Sequence, residues 1–207
     1  FVTGAPHLDV YAAERAAEPR DQFLSRRGIS PEKRVILFAG TTITYWEDEP
    51  MQLRALSDAI VQGELKDCVI WYRPHPRRPL HQVGGVENLP GVYLDDQAVR
   101  QKTEGGSSYS SRPEYLWHYR SLMDAVEGVV TAFSTMIIEA ALLGKPSLVV
   151  GFGLNDATPA RLIQHAEYEH SLEVLATPGV TLCRSLDELK QGVQRIFSGE
   201  YAALAAA

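Results

Sequence analysis

The sequence has little cysteine: Cys68 and Cys183 are the only two in 207 residues, and no cysteines and histidines are spaced as in a zinc site. Both cysteines lie in apolar, strand-like runs that are far apart along the chain. We therefore expect two buried thiols rather than a disulfide or a metal pair, which favours a reducing, cytoplasmic compartment. No pattern in the sequence requires a bound metal or a cofactor.

Long apolar runs and excess positive charge are also lacking. No uninterrupted apolar stretch approaches the ~20 residues that cross a bilayer. The formal net charge of -6 provides no overall positive field to replace the counterions of a nucleic-acid backbone, so we expect no nucleic-acid partner. Any anion site in this chain must depend on a local basic cluster.

Several catalytic fingerprints are missing as well. The sequence has no G-x-x-x-x-G-K-[ST] phosphate loop, no G-x-S-x-G nucleophile elbow and no G-x-G-x-x-G motif after the first predicted strand. These absences disfavour P-loop NTPases, α/β-hydrolases and dinucleotide-dependent dehydrogenases.

What the sequence does contain is a regular alternation of strand and helix patterns. Continuous apolar runs bounded by charged or turn residues predict strands buried on both faces. The predicted strands are 35–39, 68–72, 91–94, 128–131, 147–150 and 180–183, and the predicted helices are 49–61, 115–123, 135–143, 161–175 and 186–197. The polar segment 97–111 predicts a flexible surface loop. This order is typical of a doubly wound α/β domain with a parallel sheet, which binds ligands beyond the carboxyl ends of its strands.

One candidate site lies where the strand 128–131 passes into a helix. Ser134 is well placed to cap that helix, which Gly144 ends. Free N–H groups at the helix start, with the hydroxyls of Ser134 and Thr135, favour a phosphate. The alternative is that Ser134 only caps its own helix. Glu139, one turn deeper on the same side, is a candidate for accepting ribose hydroxyls; its alternative is a solvated or lysine-paired residue.

A second candidate site is the basic loop Arg73-Pro74-His75-Pro76-Arg77-Arg78. Planar guanidinium groups suit phosphate oxygens, and two prolines restrict the backbone around His75, so a diphosphate is the natural partner. A solvated basic turn is the alternative. Gly40 and Thr41, after the first strand, would bring backbone amides to the same anion. Asp95-Asp96 is expected to be a solvated acidic turn, and the alternative is a strand exit near a nucleobase.

These motifs, in this order, resemble the C-terminal domain of GT-B-fold glycosyltransferases. The closest likeness is to the group that includes CDP-glycerol glycerophosphotransferases, capsule polysaccharide transferases and HP-motif sialyltransferases. The resemblance is carried by the segments Thr3-Gly4-Ala5-Pro6-His7-Leu8-Asp9, 35–40, Arg73-Pro74-His75-Pro76, Ser134-Thr135 with Glu139, and Gly144-Lys145-Pro146. It implies an interdomain linker at 1–30, a Rossmann-like nucleotide-sugar-binding domain at 31–200 and an uninformative tail at 201–207. An N-terminal partner domain is expected to be missing from this chain, which does not begin with Met.

The resemblance also implies a function. The domain would bind a nucleotide-sugar or CDP-polyol donor, CMP-, CDP- or UDP-linked, for transfer to an acceptor hydroxyl in cell-surface polysaccharide synthesis. By this resemblance, the donor phosphates would be bound by Arg73, His75 and Arg77, and His75 would stabilise the leaving phosphate. A phosphate at the helix start would be bound by Ser134 and Thr135, and the ribose by Glu139. The catalytic base commonly belongs to the N-terminal domain, so none is assigned and the isolated domain is expected to be inactive. The protein is expected in the cytoplasm, and peripheral association of the full-length protein with the inner face of the membrane stays open.

Two other functions stay open at this point. A UDP-sugar 2-epimerase-like enzyme would bind UDP and use carboxylates and histidines for proton transfer without an external acceptor. A non-catalytic nucleotide- or sugar-binding scaffold would tolerate replacement of His75, Ser134 and Glu139, because a fold by itself does not establish chemistry.

Overall fold

The computed structural model describes residues 8–12, 17–42, 46, 48–79, 81, 83, 85–103, 113–154 and 167–201. Six parallel strands form one sheet in the order β3-β2-β1-β4-β5-β6. Their bounds are β1 Arg34–Ala39, β2 Cys68–Arg73, β3 Val92–Leu94, β4 Gly128–Thr131, β5 Ser147–Val150 and β6 Val180–Cys183. The predicted α/β class with a doubly wound parallel sheet is therefore confirmed.

Helices connect the strands and cover both faces of the sheet. They are α1 Asp9–Ala12, α2 Arg20–Ser25, α3 Glu49–Val61, α4 Asp96–Thr103, α5 Pro113–Ala125, α6 Met136–Leu142, α7 Glu169–Leu175 and α8 Leu186–Phe197, with a short 3-10 helix at Val86–Asn88. None of the helices in the described part of the chain combines the length and the apolar character needed to cross a membrane.

The central strand shows why a continuous apolar run predicts a strand buried on both faces. Side chains alternate across a strand, so Ile36 and Phe38 enter one core while Val35 and Leu37 enter the other, and all four are fully buried. Each such side chain contributes roughly 1.5–3 kcal/mol when it leaves water. The first core packs against α3 and α8, and the second against α1, α2, α5 and α6.

The ends of the domain take part in these cores. Phe23 and Leu24 of α2, in the segment assigned to a linker, are buried in the second core. At the other end Tyr201 is buried in the first core, and its hydroxyl lies 3.0 Å from that of Thr181. The described residues near both boundaries therefore pack as parts of the domain.

One predicted loop is partly helical. Residues 96–103, placed in or beside the flexible segment 97–111, form α4. The Asp95 Oδ1 atom accepts a hydrogen bond of 2.9 Å from the Ala98 N–H, which satisfies a donor at the helix start. The sequence analysis predicted a loop here because the residues of this helix are polar, and polar composition is also typical of surface loops. Residues 104–112, and the first part of the predicted helix 161–175, lie outside the described residues.

Smaller predictions are confirmed. Gly144 follows α6 with φ of 62°, a left-handed conformation that glycine adopts without strain and that ends the helix. Cys68 and Cys183 are free and buried, and burial raises the pKa of each thiol to about 12. Both thiols therefore stay protonated and unreactive near neutral pH.

Candidate functional site

The sheet has a switch point between β1 and β4. From β1 the strand order proceeds to β2 and β3 in one direction, and from β4 to β5 and β6 in the other. The loops that follow these two strands diverge there, which is where open α/β sheets bind ligands. Gly40 and Thr41 follow β1, Ser134 and Thr135 follow β4, and the basic loop follows β2, the other neighbour of β1. The predicted site residues therefore share one edge of the sheet.

Arg73, at the end of β2, is directed into the protein. One guanidinium nitrogen lies 2.9 Å from an Asp95 carboxylate oxygen and 3.2 Å from the Gln97 amide oxygen, and the group stacks 3.8 Å above the Tyr119 ring. Arg73 is 5% exposed and Asp95 is 0% exposed. The predicted contact of Arg73 with a donor phosphate stays a prediction; its observed contacts are those of a residue that holds the loop in place.

Asp95 is the centre of this network, so the expectation of a solvated acidic turn is wrong for it. Besides Arg73, its carboxylate accepts from the Trp71 indole N–H at 2.9 Å and lies 3.3 Å from the His118 Nε2 atom. Burial alone would raise the pKa of Asp95, but Arg73, His118 and Trp71 outweigh it and hold this pKa far below its ordinary value. The carboxylate is therefore charged at any physiological pH.

Asp95, Asp96 and His118 bring potential metal-ligand atoms within 4.8 Å of one another, the one such grouping among the residues described. Both carboxylates already form ion pairs with arginines: Asp95 pairs with Arg73, and the Arg27 Nε atom lies 3.2 Å from Asp96. A divalent cation would have to displace these guanidinium groups. The arrangement is that of an ion-pair network.

A second buried ion pair joins Arg78 to Glu49, the first residue of α3, with 3.3 Å between the Arg78 Nε atom and the Glu49 carboxylate. The same carboxylate accepts from the Thr41 N–H at 2.8 Å and from the Tyr72 hydroxyl. Arg78 also donates to the Thr41 carbonyl at 3.3 Å and to the Trp46 carbonyl. Arg78 thereby contacts two described residues of the loop after β1, Thr41 and Trp46.

This cluster explains the glycine at position 40. A Cβ atom on Gly40 would lie 2.6 Å from a Glu49 carboxylate oxygen, so a larger residue would force this carboxylate to move. The Gly40 N–H donates to the Arg73 carbonyl at 2.9 Å, and the Thr41 N–H donates to Glu49. Both amides that the sequence offers to an anion are therefore bonded internally, and their contact with a donor stays a prediction.

Between the two buried arginines, His75 and Arg77 lie in the accessible part of the loop. The His75 Nδ1 atom is 3.1 Å from the Arg77 N–H, and the Arg78 N–H closes the turn on the His75 carbonyl at 2.9 Å. Because Nδ1 accepts from a backbone N–H, a neutral imidazole here carries its proton on Nε2. The loop thus combines an orienting contact for the His75 ring with an exposed arginine, Arg77.

The loop after β4 is short. Thr131, the last residue of β4, donates its hydroxyl to the Ala39 carbonyl at 2.8 Å, which fixes this loop against the end of β1. Ser134 accepts the Met136 N–H at 3.3 Å, but α6 begins at Met136 and its N-cap residue is Thr135, so the predicted N-cap position is one residue too early. Thr135 is exposed and makes no side-chain cap in the described structure. A phosphate contact by either residue stays a prediction.

Glu139 is buried rather than solvated. It is 9% exposed, and its carboxylate accepts a hydrogen bond from the Tyr11 hydroxyl of α1. Burial, then the charge of Glu139, raises the pKa of Tyr11 far above its usual range, so the phenol stays a donor. The residue proposed for ribose binding therefore connects α1 to α6, and its contact with a ribose stays a prediction.

Two residues of this edge were not singled out by the sequence analysis as site residues: Glu49 and Asp95. A partial signal for them exists. Each arginine of the basic loop needs a counter-ion if it is buried, and acidic residues stand at the starts of α3 and α4, the helices that begin at the same sheet edge. Sequence order does not indicate which arginine is buried.

No protein-family model matches this sequence, and no curated protein does either. Solved structures do match. A putative UDP-N-acetylglucosamine 2-epimerase from Listeria monocytogenes is 18% identical with a TM-score of 0.59, over 100% of this chain and 48% of that one. The calicheamicin glycosyltransferase CalG4 is 14% identical with a TM-score of 0.52, over 84% of this chain and 38% of that one. The wall teichoic acid polymerase TagF is 16% identical with a TM-score of 0.50, over 97% of this chain and 46% of that one.

These likenesses show the fold. The chain is a Rossmann-like α/β domain that fits the C-terminal domain of the GT-B fold, as its motifs predict. It spans about half the length, or less, of the proteins to which it is similar.

Proposed function

We propose that this chain is the donor-binding half of a transferase that moves a glycosyl or polyol-phosphate group from a CMP-, CDP- or UDP-linked donor to an acceptor hydroxyl. The observation that carries the proposal is His75, which follows β2 beside the switch point and has its ring oriented by the Arg77 N–H. The fold supports it too, since similar chains are named a glycosyltransferase, a teichoic acid polymerase and an epimerase of a UDP-sugar.

His75 has the chemistry that a leaving phosphate needs. A neutral ring that accepts at Nδ1 donates at Nε2, and a donor aimed at the charge that develops on the nucleotide phosphate lowers the barrier to its departure. Arg77, exposed two residues later, adds positive charge to the same loop in a protein whose net charge is -6. We assign these two residues to the donor phosphates.

Ser134 and Thr135 complete the proposed phosphate site from the other side of the switch point, where the Thr131 bond holds their loop against β1. The side chains of Arg73 and Glu139 are bonded to other residues, so we assign them to positioning: Arg73 holds the start of the basic loop through Asp95, and Glu139 holds α6 through Tyr11.

In the proposed reaction the acceptor oxygen forms a bond to the donor carbon or phosphorus as the bond to the nucleotide phosphate breaks. The electron pair of the broken bond leaves with that phosphate, which His75 stabilises. The proton of the acceptor hydroxyl passes to a base that we place in a partner domain, as the resemblance to GT-B transferases implies.

Calorimetric titration of the domain with CMP, CDP, UDP, GDP and UDP-GlcNAc tests the proposal. We expect saturable binding of one cytidine or uridine nucleotide, and His75→Ala and Ser134→Ala should each weaken it about tenfold or more, since each removes a hydrogen bond to a charged group. Ser198→Ala is the matched control, because Ser198 follows α8 near the start of β1, at the opposite edge of the sheet.

The other outcomes separate the remaining functions. Preferred binding of UDP, together with interconversion of UDP-GlcNAc in the absence of any acceptor, would support the epimerase-like alternative. A folded domain that binds none of the five nucleotides, or binds one equally well in all variants, would contradict the proposal and favour a scaffold.

A further inference from the structure

Buried polar atoms without partners are concentrated in one short segment. In the described part of the chain, nine buried side-chain nitrogen or oxygen atoms have no hydrogen-bond partner, and six of them belong to residues 41–52. They are Thr41 Oγ1, Thr42 Oγ1, Trp46 Nε1, Asp48 Oδ1, and both Nε2 and Oε1 of Gln52. Buried polar groups in folded proteins nearly always have a partner, so this concentration indicates that something polar completes the segment.

These residues, called here the 41–52 polar set, are held at the carboxyl edge of the sheet. Trp46 is fully buried and stacks on Phe38 of β1 with 5.1 Å between ring centroids. Gln52, one turn into α3, is 0% exposed. The second oxygen of Asp48 accepts the Leu154 N–H, which connects the set to the loop after β5. The set therefore lies between the loops after β1 and β5, beside the switch point.

The charge around the set disfavours a phosphate. Arg78 is neutralised by Glu49 at 3.3 Å, and Asp48 adds a second carboxylate. The partnerless atoms include donors (indole and amide N–H groups), acceptors (carboxylate and amide oxygens) and two hydroxyls that do both. This mixture, without net positive charge, matches groups that donate and accept at once, and alcohol hydroxyls are the common example.

We infer that the 41–52 polar set binds the hydroxyl-bearing group that the donor transfers, a sugar or a polyol, while the loops after β2 and β4 bind its phosphates. This inference rests on the proposed function. It assigns Gln52 to specificity for the transferred group, because a buried carboxamide left without its hydroxyl partners penalises any donor that lacks them.

Calorimetric titration of donor pairs tests the inference: UDP against UDP-GlcNAc, and CDP against CDP-glycerol. For the pair whose nucleotide binds, we expect the complete donor to bind more tightly than the nucleotide, and Gln52→Leu to reduce that gain about tenfold. Gln62→Leu is the matched control, since it makes the same change on an exposed residue about 15 Å further along α3. Thr42→Val, which keeps the shape and removes one hydroxyl, gives a second variant.

Three results would overturn the inference. If Gln52→Leu and Thr42→Val both keep the full gain, the set holds only buried water. If the complete donor binds no more tightly than the nucleotide, the transferred group makes no contact there, although the proposed nucleotide site stands. If no nucleotide binds at all, the proposed function fails and this inference fails with it. Thermal melting of both variants confirms that each is folded.

Discussion

Two buried arginine–carboxylate pairs stand at the same edge of this sheet, and their surroundings differ. Around Asp95, the donors Arg73, Trp71 and the Ala98 N–H all reach the carboxylate, and the network is closed. The pair of Arg78 and Glu49 is equally buried, but the polar set at 41–52 beside it has six atoms without partners in the described structure. A closed network fixes a scaffold, whereas an incomplete one marks where a ligand or water enters.

The largest expected effect comes from breaking the closed network. Arg73→Met keeps most of the side-chain volume but leaves the Asp95 charge buried without its guanidinium. We expect the free energy of unfolding to fall by about 3–5 kcal/mol in urea denaturation. Lys33→Met is the control: the Lys33–Asp67 pair at 2.9 Å is exposed and screened by solvent, so its loss should change the free energy of unfolding far less. Equal losses in the two variants would mean that the buried network contributes nothing beyond a surface pair.

The next effect concerns the second pair. In Glu49→Gln a carboxamide replaces a carboxylate that accepts from Thr41, Tyr72 and Arg78, and its NH₂ group must face one of those donors. We expect a loss of about 3 kcal/mol in the free energy of unfolding. Glu64→Gln, at the exposed pair with Lys190, is the control. In Glu49→Gln, a complete donor should also no longer bind more tightly than its nucleotide. Arg73→Met should keep this difference in affinity at temperatures where it is folded. Retention by both variants would remove the distinction between the two networks.

The strands and their parallel arrangement could be predicted from the sequence, because a strand buried on both faces must be continuously apolar. Val35 to Ala39 has that pattern whatever its neighbours are. The burial of Arg73 and Arg78 could not be predicted, because the loop's composition is equally that of an exposed turn. Their counter-ions are 22 and 29 residues away along the chain, and only the folded arrangement brings each pair together.

The same limit applies to Glu139 and Asp95. Helical spacing placed Glu139 one turn beyond Thr135, and the helix is there, but its partner Tyr11 is 128 residues away. Asp95 follows a strand and precedes a polar segment, which is the pattern of a surface turn. Its burial depends on Trp71, Arg73 and His118, which come from two other elements. Local sequence patterns predicted the helices and strands. Which polar residues are buried depends on contacts between those helices and strands, and these are formed only in the folded protein.

The smallest effect tests whether the closed network depends on the charge of Asp95. Arg73 and His118 hold the pKa of Asp95 below its ordinary value of 3.8, so the stabilisation is fully present above that value and is lost as the pH falls through it toward the folded-state pKa. The free energy of unfolding should therefore fall below about pH 4, by up to about 1.4 kcal/mol per pH unit for this one proton. In Arg73→Met, burial still raises the pKa of Asp95, but the main charge that lowers it is gone. The contribution of Asp95 to the pH dependence of the free energy of unfolding should therefore become flat or reverse in sign. Urea denaturation of both proteins between pH 3 and pH 6 measures the difference, and parallel profiles would show that Arg73 does not hold Asp95 in its charged form.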